Sequence, residues 1–254
     1  MNPSVSELDK SELQSLENPT LDQITELVKR DTGSGTYSNI KELNFSTAKA
    51  FVANNQVDWL EFPNLKSISY EPAKVLSDWL KQKPHGPAKV LRIQNVSDID
   101  ARTFKTLIPP RRRPSNPGSA FRKQSEDQTA WLIDVDLRGL TSIDWETAEA
   151  IVNTQKDFNL ANVKSIDWRT LEILMNIEGS LSLGISQIDE ATAKVLSDFR
   201  GDYLNLSECE SIALDAMPIL KKLARRLTTD FYSGVEEEKQ TARLILPKKY
   251  QGRE

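Results

Sequence analysis

The chain has 254 residues, 38% of them hydrophobic and 28% charged, with a formal net charge of −4. That length is enough for a substantial core, and the charge supplies no general pull toward nucleic acid or anionic membrane. One cysteine, Cys209, and one histidine, His85, exclude an intramolecular disulfide and a zinc site built from these two residue types.

The opening "MNPSVSELDKSELQSLENPT" lacks a basic start followed by an apolar stretch, so no secretory leader is expected and a cytoplasmic location is. Residues 1–18 are expected to be a mobile N-terminus. No run of 18 apolar residues occurs, so no spanning helix is expected. Thr20-x-x-Gln23, ahead of Leu21, Ile24 and Leu27, predicts a capped helix, and residues 19–34 are expected to close one end of the core. "DTGSG" at Asp31–Gly35 resembles the loop of aspartic proteases, whose chemistry needs two carboxylates sharing a proton. No second Asp-Thr-Gly exists and the preceding "LVKR" is helical and basic, so the segment reads as a helix-ending turn.

From Leu43 onward one pattern recurs. Around Ile143, Val135 and Leu137 alternate with polar residues, Leu140 follows, and Ala148 and Ile151 come after the anchor. Phe158, Leu160, Val163, Leu171 and Leu174 hold the same places around Ile166. The anchors are Leu43, Ile68, Ile99, Ile143, Ile166, Ile188 and Ile212, with intervals of 25, 31, 44, 23, 22 and 24 residues. The alternating piece has the period of a strand, and the stretch beyond each anchor has that of a short helix. One strand and one helix cannot bury their faces alone, so stacked copies should share a continuous core between a parallel sheet and a layer of helices.

The frame L-x-L-x-x-[LIVC]-x-x-I-[DNS], followed by a short helix, resembles leucine-rich-repeat proteins over about residues 35–227. It is nearest to the cysteine-containing subclass and to bacterial-type arrays. The resemblance implies a one-domain α/β solenoid of about seven repeats, with parallel strands on the concave side and short helices on the convex side. Repeats 1–3 would occupy 35–108 and repeats 4–7 would occupy 130–228. A cap strand and tail would fill 229–254, with Leu244 and Leu246 in a closing strand. At the third conserved position the family's Asn or Cys is replaced by Ile40, Leu65, Val96, Leu140, Val163 and Ile185, and only Cys209 keeps it. Apolar packing rather than an asparagine ladder is therefore expected to hold this turn. After the anchors come Asn44, Ser69, Asp100, Asp144, Asp167, Asp189 and Ala213, and the first six suit helix N-caps. Each anchor is expected to staple to the apolar residue four after the cap, as Ile143 to Ala148. Gly179 and Gly201 are expected to end helices.

Little points to catalysis. His85 sits in a Pro/Gly loop and Cys209 at a buried position of the frame, so no catalytic residue, metal or cofactor is expected. Three surfaces remain. The concave sheet face should carry Glu61, Arg92, Asp134, Asp136, Arg138, Asp157, Asn159, Ser182, Tyr203 and Asn205, with Trp59 at its edge. The Pro-rich insertion at 109–129 concentrates Arg111, Arg112, Arg113, Arg122 and Lys123. Trp145 and Trp168, first in their helices, are expected to form an exposed aromatic pair. The expected function is non-catalytic protein–protein interaction or scaffolding through the concave face. The alternative is a regulatory adaptor holding an acidic partner or nucleic acid through the basic loop. No membrane and no small-molecule substrate are expected.

Overall fold

The structure, a computed structural model, describes residues 12, 19–30, 33–53, 57–81, 89–108, 132–154, 157–229 and 244–251. The fold is mixed α/β, with eight helices and parallel, open ladders among these residues. By its contacts the chain divides into two compact units, residues 1–139 and 140–254.

In the first unit, α1 (Leu21–Arg30) opens with the expected capping box. Gln23 N–H donates to Thr20 Oγ1 at 3.3 Å, and Thr20 N–H donates to Gln23 Oε1 at 2.8 Å. Ile24, Leu27 and Val28 form its buried stripe. Then follow β1 (Gly33–Thr36), β2 (Glu42–Leu43), α2 (Phe45–Val52), β3 (Val57–Phe62), β4 (Ser67–Ile68), α3 (Tyr70–Lys81), β5 (Val90–Ile93), α4 (Ala101–Leu107) and β6 (Leu132–Val135). Four strands make one parallel sheet in the order β1-β3-β5-β6. Leu60 pairs with Leu91 and Phe62 with Ile93, as the frame requires.

Two places depart from expectation. Gly33–Thr36 is a strand, not a helix-ending turn. Its Gly35 pairs with Leu60, and Tyr37 supplies the missing bulk: a Cβ on Gly35 would collide with the Tyr37 ring. That ring is buried, with centroids 4.4 Å from Phe51 and 5.7 Å from Phe62. At β6, Ile93 pairs with Val135 where the frame pairs it with Leu137. A few residues on, Gly139 lies against the Asn95 and Val96 carbonyls, back in frame. Residues 136–138 therefore bulge, and Leu137 and Leu140 are both buried.

The second unit runs α5 (Trp145–Val152), β7 (Phe158–Leu160), α6 (Trp168–Leu174), β8 (Ser180–Leu183), β9 (Gln187–Ile188), α7 (Glu190–Leu196), β10 (Tyr203–Asn205), β11 (Ser211–Ile212), α8 (Ala216–Thr229), β12 (Leu244–Ile245) and a 3₁₀ turn, Lys248–Tyr250. Its sheet has the order β12-β10-β8-β7. Phe158, Leu181 and Leu204 are in register, as are Leu160 and Leu183. The closing strand pairs Leu244 with Leu204, and Tyr250 Oη accepts from Ile212 N–H at 3.0 Å, covering β11.

Each anchor is followed by a helix, α2 to α8. Five predicted caps are made: Asn44, Asp100, Asp144, Asp167 and Asp189 each accept the backbone N–H three residues on, at 2.9, 2.7, 2.7, 3.1 and 2.7 Å. The donor is Thr every time: Thr47, Thr103, Thr147, Thr170 and Thr192. Ser69 departs from the pattern because three residues on stands Pro72, which has no N–H to give. The staple is also uneven. Leu43, Ile68, Ile99, Ile188 and Ile212 are buried, whereas Ile143 and Ile166 are only half-buried.

Two further expectations are corrected. An asparagine ladder does exist, one residue before the position where the family's Asn or Cys was sought. Asn64 Nδ2 donates to Ser38 O and Asn95 Nδ2 to Pro63 O, both at 2.8 Å, and Asn95 adopts φ 59° to do so. Gly139 and Gly184 fill the same place of the frame, and a Cβ on Gly184 would overlap the Ala161 carbonyl. Gly179 and Gly201 are not helix caps. Helices α6 and α7 end at Met175 and Ser197 in right-handed conformation, and Gly201 instead lies against the Gly179 carbonyl as the chain enters β10.

Candidate functional site

Along the strands burial alternates, so one face of each sheet is packed and the other half-buried. On the half-buried face of the first unit, Glu61 on β3 and Arg92 on β5 are neighbours in register, with the exposed Thr36 on β1 beside Glu61, and the backbone of Arg92 pairs with that of Asp134 on β6. Glu61 is the hub. Its Oε2 accepts from Thr36 Oγ1 at 3.1 Å, and its Oε1 accepts from Gln94 Nε2 at 3.4 Å and stands 3.5 Å from Arg92 Nη1. The Arg92 guanidinium lies 5.3 Å from the centre of the Trp59 ring. Asp136 and Arg138, on the bulge, satisfy each other: Arg138 donates Nε to Asp136 Oδ2 at 2.6 Å and its backbone N–H to Oδ1 at 2.9 Å. On this face Glu61 and Arg92, and Asp136 and Arg138, are thus already paired with each other.

The corresponding face of the second unit is uncharged at its centre. Asn159, Ser182 and Asn205 are in register on β7, β8 and β10, with Ser180 beside Tyr203. Asn159 and Asn205 each use one side-chain oxygen to close their own turn, from Ala161 N–H at 3.1 Å and Ser207 N–H at 2.9 Å. Their amide NH₂ groups and the Ser182 hydroxyl make a row of donors and acceptors on adjacent strands, ~4.8 Å apart. Asp157 is structural, accepting from Ser180 N–H at 2.6 Å at the start of the next strand.

Trp145 and Trp168 do not form a ring pair. Trp145 is covered by the Arg169 guanidinium, 3.7 Å from the ring centre, while Trp168 is 50% exposed and donates Nε1–H to Glu172 Oε1 at 2.7 Å. Arg111, Arg112, Arg113, Arg122, Lys123 and His85 lie outside the described residues, as does the whole 109–129 insertion.

Asp167 lies below the usual carboxylate range because the Thr170 hydroxyl and then its amide bond the ionised form. Asp189 is lowered mainly by the Thr192 amide, then by its hydroxyl. Lys194 is raised by its bond to Glu190, at 2.8 Å. Lys89 is lowered by burial, partly offset by Asp58, and its ammonium donates to Trp79 O at 3.2 Å. Burial pushes the Cys209 thiol up to about 12. Its Sγ faces Leu183 O at 3.9 Å, so the residue is a packed hydrophobe rather than a nucleophile.

Sequence reasoning missed the five Thr residues under the caps, although Asn/Asp-x-x-Thr directly follows five of the seven anchors. It also missed Gln94, Arg102 and Arg169, because the frame tracked apolar positions. Among the described residues no helix is long and apolar enough to cross a membrane, and no cluster of three or more His, Cys, Asp or Glu could hold a metal. Compared with known proteins, the sequence matches no family model and no curated protein.

Proposed function

We propose that the chain is a non-catalytic protein-interaction module of leucine-rich-repeat type, which holds a protein partner on the half-buried sheet face of its second unit. The observation that carries this reading is the register of Asn159, Ser182 and Asn205 across three parallel strands, flanked by Tyr203. An uncharged row of amides and hydroxyls is cheap to desolvate compared with ions, and it can meet the donors and acceptors of an extended chain in turn. Tyr203 adds a large amphipathic side chain of the kind that anchors interfaces. The charged face of the first unit serves the same reading less well, since Arg92 and Asp136 are already paired. A cytoplasmic location belongs to the same reading, because the lone cysteine leaves no disulfide to form within the chain.

The test is quantitative capture from native extract with wild type, with an Asn159→Ala/Tyr203→Ala double variant, and with Asp144→Ala as a stability control. Partners retained by wild type and the control should be lost by the double variant. Equal recovery by all three would refute the sheet-face assignment.

A further inference from the structure

Two aromatic rings at the first position of a helix are covered in the same way. Arg102, second in α4, lies 3.6 Å from the centre of the Tyr70 ring at the start of α3. Arg169, second in α6, lies 3.7 Å from the centre of the Trp145 ring at the start of α5. Trp168 begins α6 in the same manner, but the second residue of α7 is Ala191, which has no side chain to lay over a ring. Tyr70 and Trp145 are half-buried, and Trp168 is 50% exposed.

A groove of about 480 Å³ opens beside that ring, lined among others by Ser165, Ile166, Gln187 and Thr192. It exists because a short second ladder is interrupted there. In the first unit β2 pairs with β4, and in the second β9 pairs with β11. Between Lys164 and Ser186 only the first rung forms, at 3.1 Å, and Ser165 and Ile166 are not paired with β9. Charge around the ring favours a cation. Glu172 holds the indole N–H, and Asp167 is kept ionised by Thr170. The one lysine lining the groove, Lys164, directs its ammonium to Glu208 O at 3.4 Å.

We propose that this groove docks an arginine-bearing segment of a partner protein, whose guanidinium stacks on Trp168 as Arg102 and Arg169 stack on Tyr70 and Trp145. A planar, weakly hydrated guanidinium suits a flat ring better than an ammonium does. The site is separate from the sheet face, and either can fail without the other.

The test uses the full chain labelled with ¹⁵N at its tryptophan indoles, the Trp168 resonance being assigned through Trp168→Phe. The probes are acetylated Gly-Ser-Gly-X-Gly-Ser-Gly amides with X as arginine, citrulline or alanine. The arginine peptide should move the Trp168 indole signal and bind about 2–5-fold more tightly than the citrulline peptide. Ala191→Arg, a change at an exposed position, should supply the missing guanidinium from within the chain. It should abolish the peptide response while raising the thermal midpoint. Trp168→Ala should also abolish binding, read from backbone amides near Gln187. An equal response to the alanine peptide, no response to any peptide, or a full arginine response in folded Ala191→Arg would overturn the proposal.

Discussion

Asp144 accepts the Thr147 amide at 2.7 Å, with its own backbone in extended conformation and the helix beginning one residue later. The bond satisfies one of the amides that a helix leaves free at its start. Asp144→Ala should cost about 1 kcal/mol in urea unfolding, and Asp144→Asn much less, since the amide oxygen still accepts. Asp167 and Asp189 add a pH dependence whose sign is fixed. Their folded values lie below those of the unfolded chain, so the unfolded state binds more protons as the solution is acidified. Their contribution is full above the ordinary carboxylate range, near pH 4, and fades as pH falls through the folded values. Urea midpoints measured from pH 7 to pH 3 should therefore fall less steeply for Asp167→Asn/Asp189→Asn than for wild type. Cys209 gives a chemical readout of the same packing. With its thiol pushed up to about 12, it should resist a thiol-disulfide reagent at pH 8 and react fully in denaturing urea. Rapid reaction of the native protein would contradict the buried placement.

Among the elements, what could be read from the chain depended on whether a position announces itself by hydrophobicity. The register of β7, β8 and β10 follows directly from apolar residues spaced 22 to 24 apart, and Asn159, Ser182 and Asn205 come with it. At β6 the 44-residue interval removes that constraint, and Ile133, Val135 and Leu137 offer an apolar residue in either register. The bulge at 136–138, and with it the pairing of Arg92 with Asp134 instead of Asp136, was therefore not legible. β1 escaped notice because Gly-Ser-Gly-Thr has no apolar residue, and the ring that fills its core position comes from Tyr37. The asparagine ladder was hidden for the same reason: Asn64 and Asn95 are polar residues between apolar ones, and their task is to bond a neighbouring turn's carbonyl. Gly184 occupies that place without room for any side chain. Gly184→Ala should destabilise by about 1–3 kcal/mol, because the Ala161 backbone would have to move. A thermal midpoint equal to wild type would show that the two turns do not approach so closely.

At the scale of the molecule, each unit has its own core and its own closed end. α1 buries Ile24, Leu27 and Val28 in the first unit, while β12 and the Lys248–Tyr250 turn finish both ladders of the second. Among the described residues β12 pairs only with β10, so its loss is felt first by the elements beside it. Removing residues 244–254 would strip β10 of Leu244 and Ile245, and leave Ile212 N–H without the Tyr250 hydroxyl. The expected result is a second unit that unfolds at lower urea while the first keeps its midpoint. Tryptophans report on each: Trp59 and Trp79 lie in the first unit, Trp145 and Trp168 in the second. With fluorinated tryptophan, the resonances of Trp145 and Trp168 in the chain ending at residue 243 should shift at lower urea than those of Trp59 and Trp79. All four moving together, at an unchanged midpoint, would mean that the C-terminal strand adds nothing to the fold. All four moving together at a lowered midpoint would mean that the two cores unfold as one cooperative block.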